Sequence, residues 1–158
     1  MPLNRALFSS EKDDWETPQA FFDRLDAEFR FTLDAAASPQ NAKCAQYLTK
    51  EDDALTQPWP GTVWLNPPYG RDIWKWIRKA YQEAAESTVV VLIPSRTDTK
   101  YWHNWVMRAS EIRFVKGRLR FVGAERPCPF PSSVIVFGEH DGGYPSVSTM
   151  LANNKELP

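Results

Sequence analysis

The spacing of apolar positions changes several times along the chain, and each change marks an element. Phe21, Phe22, Leu25 and Phe29 recur at the three- and four-residue intervals of one helical face. Thr17 suits the cap of that helix and Pro18 its first position, where proline's missing donor is not needed. Residues 29–34 then alternate as a strand does and run into Asp34-Ala35-Ala36-Ala37-Ser38. Residues 39–60 hold no sustained period; they predict a short helix or turn, an extended piece near Ala45–Leu48, and loops. Thr62-Val63-Trp64-Leu65 is a short run of strand formers. Helical spacing returns over residues 71–86, with Ile73, Trp76, Ile77, Ala80 and Ala84 as the apolar stripe. Arg71, Lys75, Arg78 and Lys79 occupy its other side and read as a solvated face. Val89–Ile93 is continuously β-branched or aliphatic, as in a strand buried on both faces of a parallel sheet. Asp98 can cap a helix over roughly residues 99–109. Glu111–Val115 predicts a strand, Lys116–Val122 a turn and strand, and Ser133–Phe137 a last strand.

This order predicts an α/β fold, a mostly parallel sheet with crossover helices and a C-terminal antiparallel hairpin joined by a long connection. Residues 1–13 read as a flexible N-terminus, 14–138 as a single domain and 139–158 as a loose tail. The chain has 158 residues, enough for one domain with its own core. A formal net charge of −1 excludes a global basic field, so any nucleic-acid surface must be local. Cys44 and Cys128 make neither a disulfide framework nor a metal site. No apolar run approaches membrane-spanning length and no signal-peptide core opens the chain, which predicts a soluble, cytoplasmic protein without a membrane partner.

The chemistry concentrates where the Val63-Trp64-Leu65 run stops at Asn66-Pro67-Pro68-Tyr69-Gly70. The two prolines lack backbone donors and fix φ, so they end the strand in a stiff turn. Pro67 also pushes Asn66 into an extended conformation. In open α/β sheets the carboxyl ends of strands are where ligands bind. A planar amine is a poor nucleophile because its lone pair is delocalised. Two acceptors, the Asn66 amide oxygen and a backbone carbonyl, favour the pyramidal geometry that frees that lone pair. Tyr69 offers a ring on which the base can stack. Asp34 is an acid at the carboxyl end of the first strand, followed by small residues that admit a ligand to the backbone. The Trp15–Pro18 helix entry borders the same edge. Asp52 and Asp53 are equal candidates to accept from an adenine amine of a bound cofactor.

The series Asp14-Trp15-Glu16-Thr17-Pro18, Leu33-Asp34-Ala35-Ala36, Asp52-Asp53-Ala54-Leu55, Trp64-Leu65-Asn66-Pro67-Pro68-Tyr69, Pro94-Ser95-Arg96-Thr97-Asp98-Thr99 and Gly117-Arg118-Leu119-Arg120-Phe121 resembles the small phage-type DNA N-6-adenine methyltransferases. The resemblance covers about residues 14–137. It implies a Rossmann-like methyltransferase fold, S-adenosylmethionine as methyl donor, and N6-methyladenine in double-stranded DNA as product, a modification that protects phage DNA from restriction in the host cytoplasm. It implies that Asn66 and Pro67 accept from the adenine N6 within the Asn66-Pro67-Pro68-Tyr69 loop, and that Tyr69 stacks on a flipped base whose N6 attacks the methyl group directly. It places Trp15, Thr17, Pro18, Asp34, Ala35, Asn66 and Asp53, with Asp52 as its equal, at the cofactor.

Two departures from the family pattern shape the expectation. Asp34-Ala35-Ala36-Ala37-Ser38 stands where a glycine-rich loop is usual, and only 31 residues separate Asp34 from Asn66. The sheet is therefore expected to be trimmed between the first strand and the catalytic loop, with the site completed by a second subunit of a homodimer or by DNA. Arg113, Lys116, Arg118, Arg120 and Arg126 concentrate positive charge against Glu125 alone, the footprint expected for phosphate contacts. Arg96 joins them at a strand end. Other readings are the same transfer to RNA adenine or protein glutamine, and a non-catalytic nucleic-acid-binding module.

Overall fold

The computed structural model describes residues 15–153; the predicted flexible N-terminus lies outside them. Six strands form one sheet: β1 (Leu33–Asp34), β2 (Thr62–Leu65), β3 (Thr88–Pro94), β4 (Glu111–Lys116), β5 (Ser132–Phe137) and β6 (Ser146–Leu151). The α-helices are α1 (Gln19–Phe29), α2 (Ile73–Glu83) and α3 (Lys100–Asn104). The order across the sheet is β1-β2-β3-β5-β4-β6. β1, β2 and β3 are parallel, β6 is parallel to β4, and β5 runs against both its neighbours. The result is a mixed α/β fold with a mostly parallel sheet.

The continuous apolar run of β3 sits at its centre because both faces are covered. Val89, Val91 and Ile93 pack with Val63 and Leu65 of β2 and with Ile73, Ile77 and Ala80 of α2. Val90 and Leu92 point the other way, towards Trp64 and Phe21, Phe22 and Leu25 of α1. The period-2 alternation of the strands thus sorts two cores. α2 and α3 cover one face; α1 and the connection from residue 117 to 131, through Leu119, Phe121 and Cys128, cover the other. Full burial of a side chain such as Ile77 or Leu25 stabilises the fold by roughly 2 kcal/mol.

Between β1 and β2 the chain forms only short 3-10 turns, Lys50–Asp52 and Ala54–Thr56, and no α-helix. The extended piece predicted near Ala45–Leu48 bridges β1 through Tyr47 and Asp34, with Leu48 N donating to Asp34 O at 2.9 Å. Trp59, in a stretch whose pattern reads as loop, is fully buried and donates from its indole to Ala54 O at 2.9 Å. Gly61 (φ 85°) makes the turn into β2, where a Cβ would lie 2.5 Å from Thr32 Oγ1.

Four sequence expectations are corrected. Thr17 does not cap α1: Pro18 holds that position without a side-chain bond, because the Thr17 hydroxyl is engaged elsewhere. Thr99, not Asp98, caps α3, accepting from Trp102 N at 3.4 Å, and the helix gives way to a 3-10 turn at Val106–Arg108. Residues 119–122 are not a strand. Leu119 O accepts from Cys128 N at 2.8 Å and Val122 N donates to Glu16 O at 3.0 Å, so this connection spends its backbone groups folding over α1's face. The antiparallel partner of β5 is instead β4, from Glu111 opposite Val136 to Phe114 opposite Ser133. Finally, the segment read as a loose tail supplies β6, which pairs along the whole of β4 and closes that edge, with Arg24 donating to Leu151 O at 2.6 Å. No helix among the described residues is long and apolar enough to cross a membrane.

Candidate active site

β1 and β2 end side by side, with Asp34 opposite Trp64 and Ala35 N donating to Trp64 O at 3.0 Å. The chain leaves β2 at Asn66, whose side chain turns back to the segment ahead of α1. Its Nδ2 donates to Trp15 O and, at 3.0 Å, to Thr17 Oγ1. The Trp15 carbonyl only accepts, so the amide nitrogen must face it, and the amide orientation is fixed. Oδ1 points the opposite way; it is shielded from solvent and has no hydrogen-bond partner among the described residues. Leaving a buried acceptor unpaired costs about 1–3 kcal/mol, which a ligand amine would recover.

Tyr69, three residues on, is held at both ends. Its hydroxyl donates to Leu92 O of β3 at 3.0 Å. Its ring meets Phe121 edge-on at 6.2 Å and Phe130 at 5.8 Å, and the same two rings pack on Trp15 at 5.3 Å and 5.6 Å. Burial raises the phenol's pKa well above its ordinary value, so it stays protonated and serves as a donor. Neither Phe121 nor Phe130 stands out as a site residue in the sequence. The available signal is an aromatic in each of two loops, Gly117–Phe121 and the Pro-rich 127–131, which the fold brings against one tyrosine.

Asp34 is 3% exposed. Burial pushes its carboxyl up to about 6, against the lowering effect of bonds from Lys43 N (3.0 Å) and Ala36 N (3.3 Å) and of the Lys43 charge. Lys43 also ties the α1 entry to this loop: Nζ donates to Gln19 Oε1 at 2.9 Å and lies 3.7 Å from Glu16. Trp15, Thr17, Pro18, Asp34, Ala35 and Asn66 therefore share one sheet edge. Asp52 ends the first 3-10 turn and Asp53 links it to the second, and among the described residues neither shares a hydrogen bond with Asp34 or Asn66. The two differ. Asp52 accepts from Thr49 N and Thr49 Oγ1 at 2.7 and 2.9 Å in a capping box, which lowers its pKa. Asp53 is exposed and held at φ 50°, a left-handed conformation uncommon outside glycine. Of the pair, Asp53 has the carboxylate not spent on a cap.

Among the predicted phosphate ligands, Arg113 is the one already engaged by carboxylates. Its guanidinium makes two 2.6 Å bonds to Glu28 and further bonds to Glu111, and it sits over the Phe29 ring at 5.2 Å. The Glu28 bonds raise its pKa further, and the pair bridges α1 and β4. Lys116, Arg118, Arg120, Arg126 and Arg96 are exposed and form no ion pair with a described carboxylate. A cavity of about 560 Å³ opens at the opposite sheet edge, lined by Tyr81, Arg108, Phe137 and His140, and none of the predicted site residues borders it. The unpaired acceptor on Asn66 lies apart from that cavity.

The DNA N-6-adenine-methyltransferase (Dam) family model matches residues 5–142. The chain belongs to that family. A DNA N-6-adenine-methyltransferase of Haemophilus phage HP1 is 33% identical over 121 residues, 73% of this chain and 70% of the relative. A DNA N-6-adenine-methyltransferase of Escherichia phage T1 is 31% identical over 113 residues, 68% of this chain; the chain spans 47% of that relative's length. The putative methyltransferase YfdM of Escherichia coli K12 is 40% identical over 65 residues, 36% of this chain. In this chain the turn from Asn66 to Tyr69 lies at the end of β2, beside the end of β1.

Proposed function

We propose that this chain transfers the methyl group of S-adenosylmethionine to N6 of an adenine flipped out of double-stranded DNA. The observation that carries the reading is the Asn66 amide. Both its hydrogens are committed to Trp15 O and Thr17 Oγ1, and its oxygen is buried, oriented and unpaired. Such an acceptor binds one hydrogen of an amine, and a backbone carbonyl of the turn binds the other. Both bonds strengthen as the nitrogen becomes pyramidal and takes on positive charge, which is transition-state stabilisation by a preorganised dipole. Tyr69 contributes a ring for base stacking and Asn66 the acceptor.

The residues present fit the methyl donor. Asp34, Ala35 and the Trp15–Pro18 entry line one sheet edge, and Asp53 keeps a carboxylate available for an adenine amine. When bound, S-adenosylmethionine supplies an electrophilic methyl group on a sulfonium. The antiparallel β5 between β3 and β4 supports a Rossmann-like methyltransferase fold. The phage relatives support a role in protecting phage DNA from restriction, exerted in the host cytoplasm.

Transfer of labelled methyl from S-adenosylmethionine to unmethylated DNA, RNA and protein, run in parallel with Asn66→Ala, tests the proposal. Label is expected in DNA adenine alone and is expected to fall on the order of 10²–10³-fold in the variant. Label in RNA or protein glutamine instead, or equal rates for the two proteins under single turnover, would sink it.

A further inference from the structure

Arg71, Lys75 and Arg78 lie outside the proposed site, on the helix that directly follows the Asn66–Gly70 turn. Their sequence pattern reads as a solvated face, but the structure gives Lys75 and Arg78 an organising centre. Trp74, in the first turn of α2, is 36% exposed despite its size. Its ring stacks on Trp105, just past α3, at 6.5 Å and 17° between planes. The Arg78 guanidinium sits 5.2 Å from the Trp74 ring centroid and Lys75 Nζ 5.7 Å from it. An indole face attracts cations, so the paired tryptophans hold two flexible side chains in place. Lys75 shares its charge with Asp72 at 3.2 Å, while Arg71 and Arg78 are exposed and make no ion pair with a described carboxylate.

The position of this platform gives it a use. α2 and α3 lie on one face of the sheet, whereas the connection carrying Arg118, Arg120 and Arg126 lies on the other. The turn from Asn66 to Tyr69 emerges between the two faces. Arg96 is exposed on the loop from β3 to α3, which also carries the exposed Asp98. We infer that the Trp74–Trp105 platform is a second phosphate-binding surface, which holds the DNA backbone on the side of the target adenine opposite to the residue 117–131 connection. The inference rests on the reading of the chain as a DNA-binding enzyme and adds the half of the grip that reading lacks. Cations at two flanks of the turn match a polyanion that passes across it.

The test is a salt titration of duplex DNA binding by the full chain and by Arg78→Ala, Lys75→Ala with Arg78→Ala, Trp74→Ala and Trp74→Phe. Removing a cation that neutralises one phosphate is expected to reduce the log–log salt slope by about one. Arg78→Ala should lower it by about one and the double variant by up to about two. Trp74→Ala removes no charge yet is expected to weaken binding because it frees the cations, and Trp74→Phe is expected to restore part of the affinity. Circular dichroism confirms folding, and methyl-donor affinity should stay unchanged in all four. Wild-type slope in both cation variants, with Arg118→Ala still lowering it, would overturn the second surface while leaving the enzymatic reading intact. Absence of DNA binding by the unaltered chain would overturn both, and an equal weakening of RNA binding would overturn the assignment to duplex DNA.

Discussion

Thr17 Oγ1 accepts from Asn66 Nδ2 at 3.0 Å, and this bond joins the entry of α1 to the turn at the end of β2. It explains why a residue suited to capping a helix does not cap one. The hydroxyl and the Trp15 carbonyl together hold the direction of the Asn66 oxygen, so removal of the hydroxyl is predicted to act through Asn66. Thr17→Val keeps the shape and removes the acceptor, leaving one buried N–H unpaired. Stability is expected to fall by about 1–3 kcal/mol. Turnover is expected to fall roughly tenfold, equivalent to about 1.4 kcal/mol of orientation. Thr17→Ser should recover most of both. A Thr17→Val protein with wild-type single-turnover methylation would mean that Trp15 O alone orients the amide.

The Tyr69 hydroxyl and ring are predicted to have separable duties. Tyr69→Phe leaves Leu92 O without its 3.0 Å donor and is expected to cost about 1 kcal/mol in denaturant unfolding. The ring and its edge packing on Phe121 and Phe130 survive, so most methylation should survive too. Tyr69→Ala is expected to weaken capture of the adenine by roughly 1–3 kcal/mol, the worth of one aromatic–base stack. Equal weakening of adenine binding in both variants would assign the role to the hydroxyl instead.

Asp34 makes the fold sensitive to mild acid in an unusual direction. Its carboxyl titrates at about 6 in the folded protein, against an ordinary value of 3.8. Between those values the folded state binds the proton more tightly than the unfolded state, so this group's contribution to stability falls as pH rises from about 4 to 6. The difference corresponds to at most about 3 kcal/mol. Asp34→Asn removes the buried charge while keeping one acceptor for Lys43 N or Ala36 N. Its stability is expected to vary less across pH 4–6 than that of the wild type and to exceed it at pH 8. Parallel pH slopes for the two proteins would show that the carboxylate is better solvated than its burial implies.

Much of this arrangement was legible in the chain. The continuous apolar run of β3 predicted a strand covered on both faces, and the stop at Asn66-Pro67-Pro68-Tyr69 marked the turn, because proline chemistry is local. The partners of that turn were not legible. Phe121 and Phe130 reach Tyr69 through a connection whose path depends on long-range bonds such as Val122 N to Glu16 O. β6 escaped notice because Ser146, Val147, Ser148 and Thr149 are exposed and so show no buried alternation; a place beside β4 makes them a strand. Asp52 and Asp53 are likewise alike in sequence, and the Thr49 bonds set them apart in the fold.

Arg113 and Arg118 look alike as basic residues of one segment, and their surroundings predict opposite behaviour. Arg113 is enclosed by Glu28 and Glu111, with its side chain 14% exposed. Its charge is already neutralised, so Arg113→Ala should leave the salt dependence of DNA binding unchanged. It should instead lower stability by about 1 kcal/mol, because Glu28 is half exposed and the pair is partly screened. Arg118 and Arg120 are exposed without a described carboxylate, and Arg120 Nε donates to Ala124 O at 3.0 Å, which braces its stem along the loop. Arg118→Ala with Arg120→Ala is expected to weaken binding to all DNA sequences alike and to lower the log–log salt slope by about two. Unfolding by denaturant should hardly change, since neither side chain is buried. The comparison is decisive because all three residues are arginine and only their partners differ. If Arg113→Ala lowers the slope as much as the exposed pair does, the Glu28 bridge opens on DNA and the segment binds as one surface.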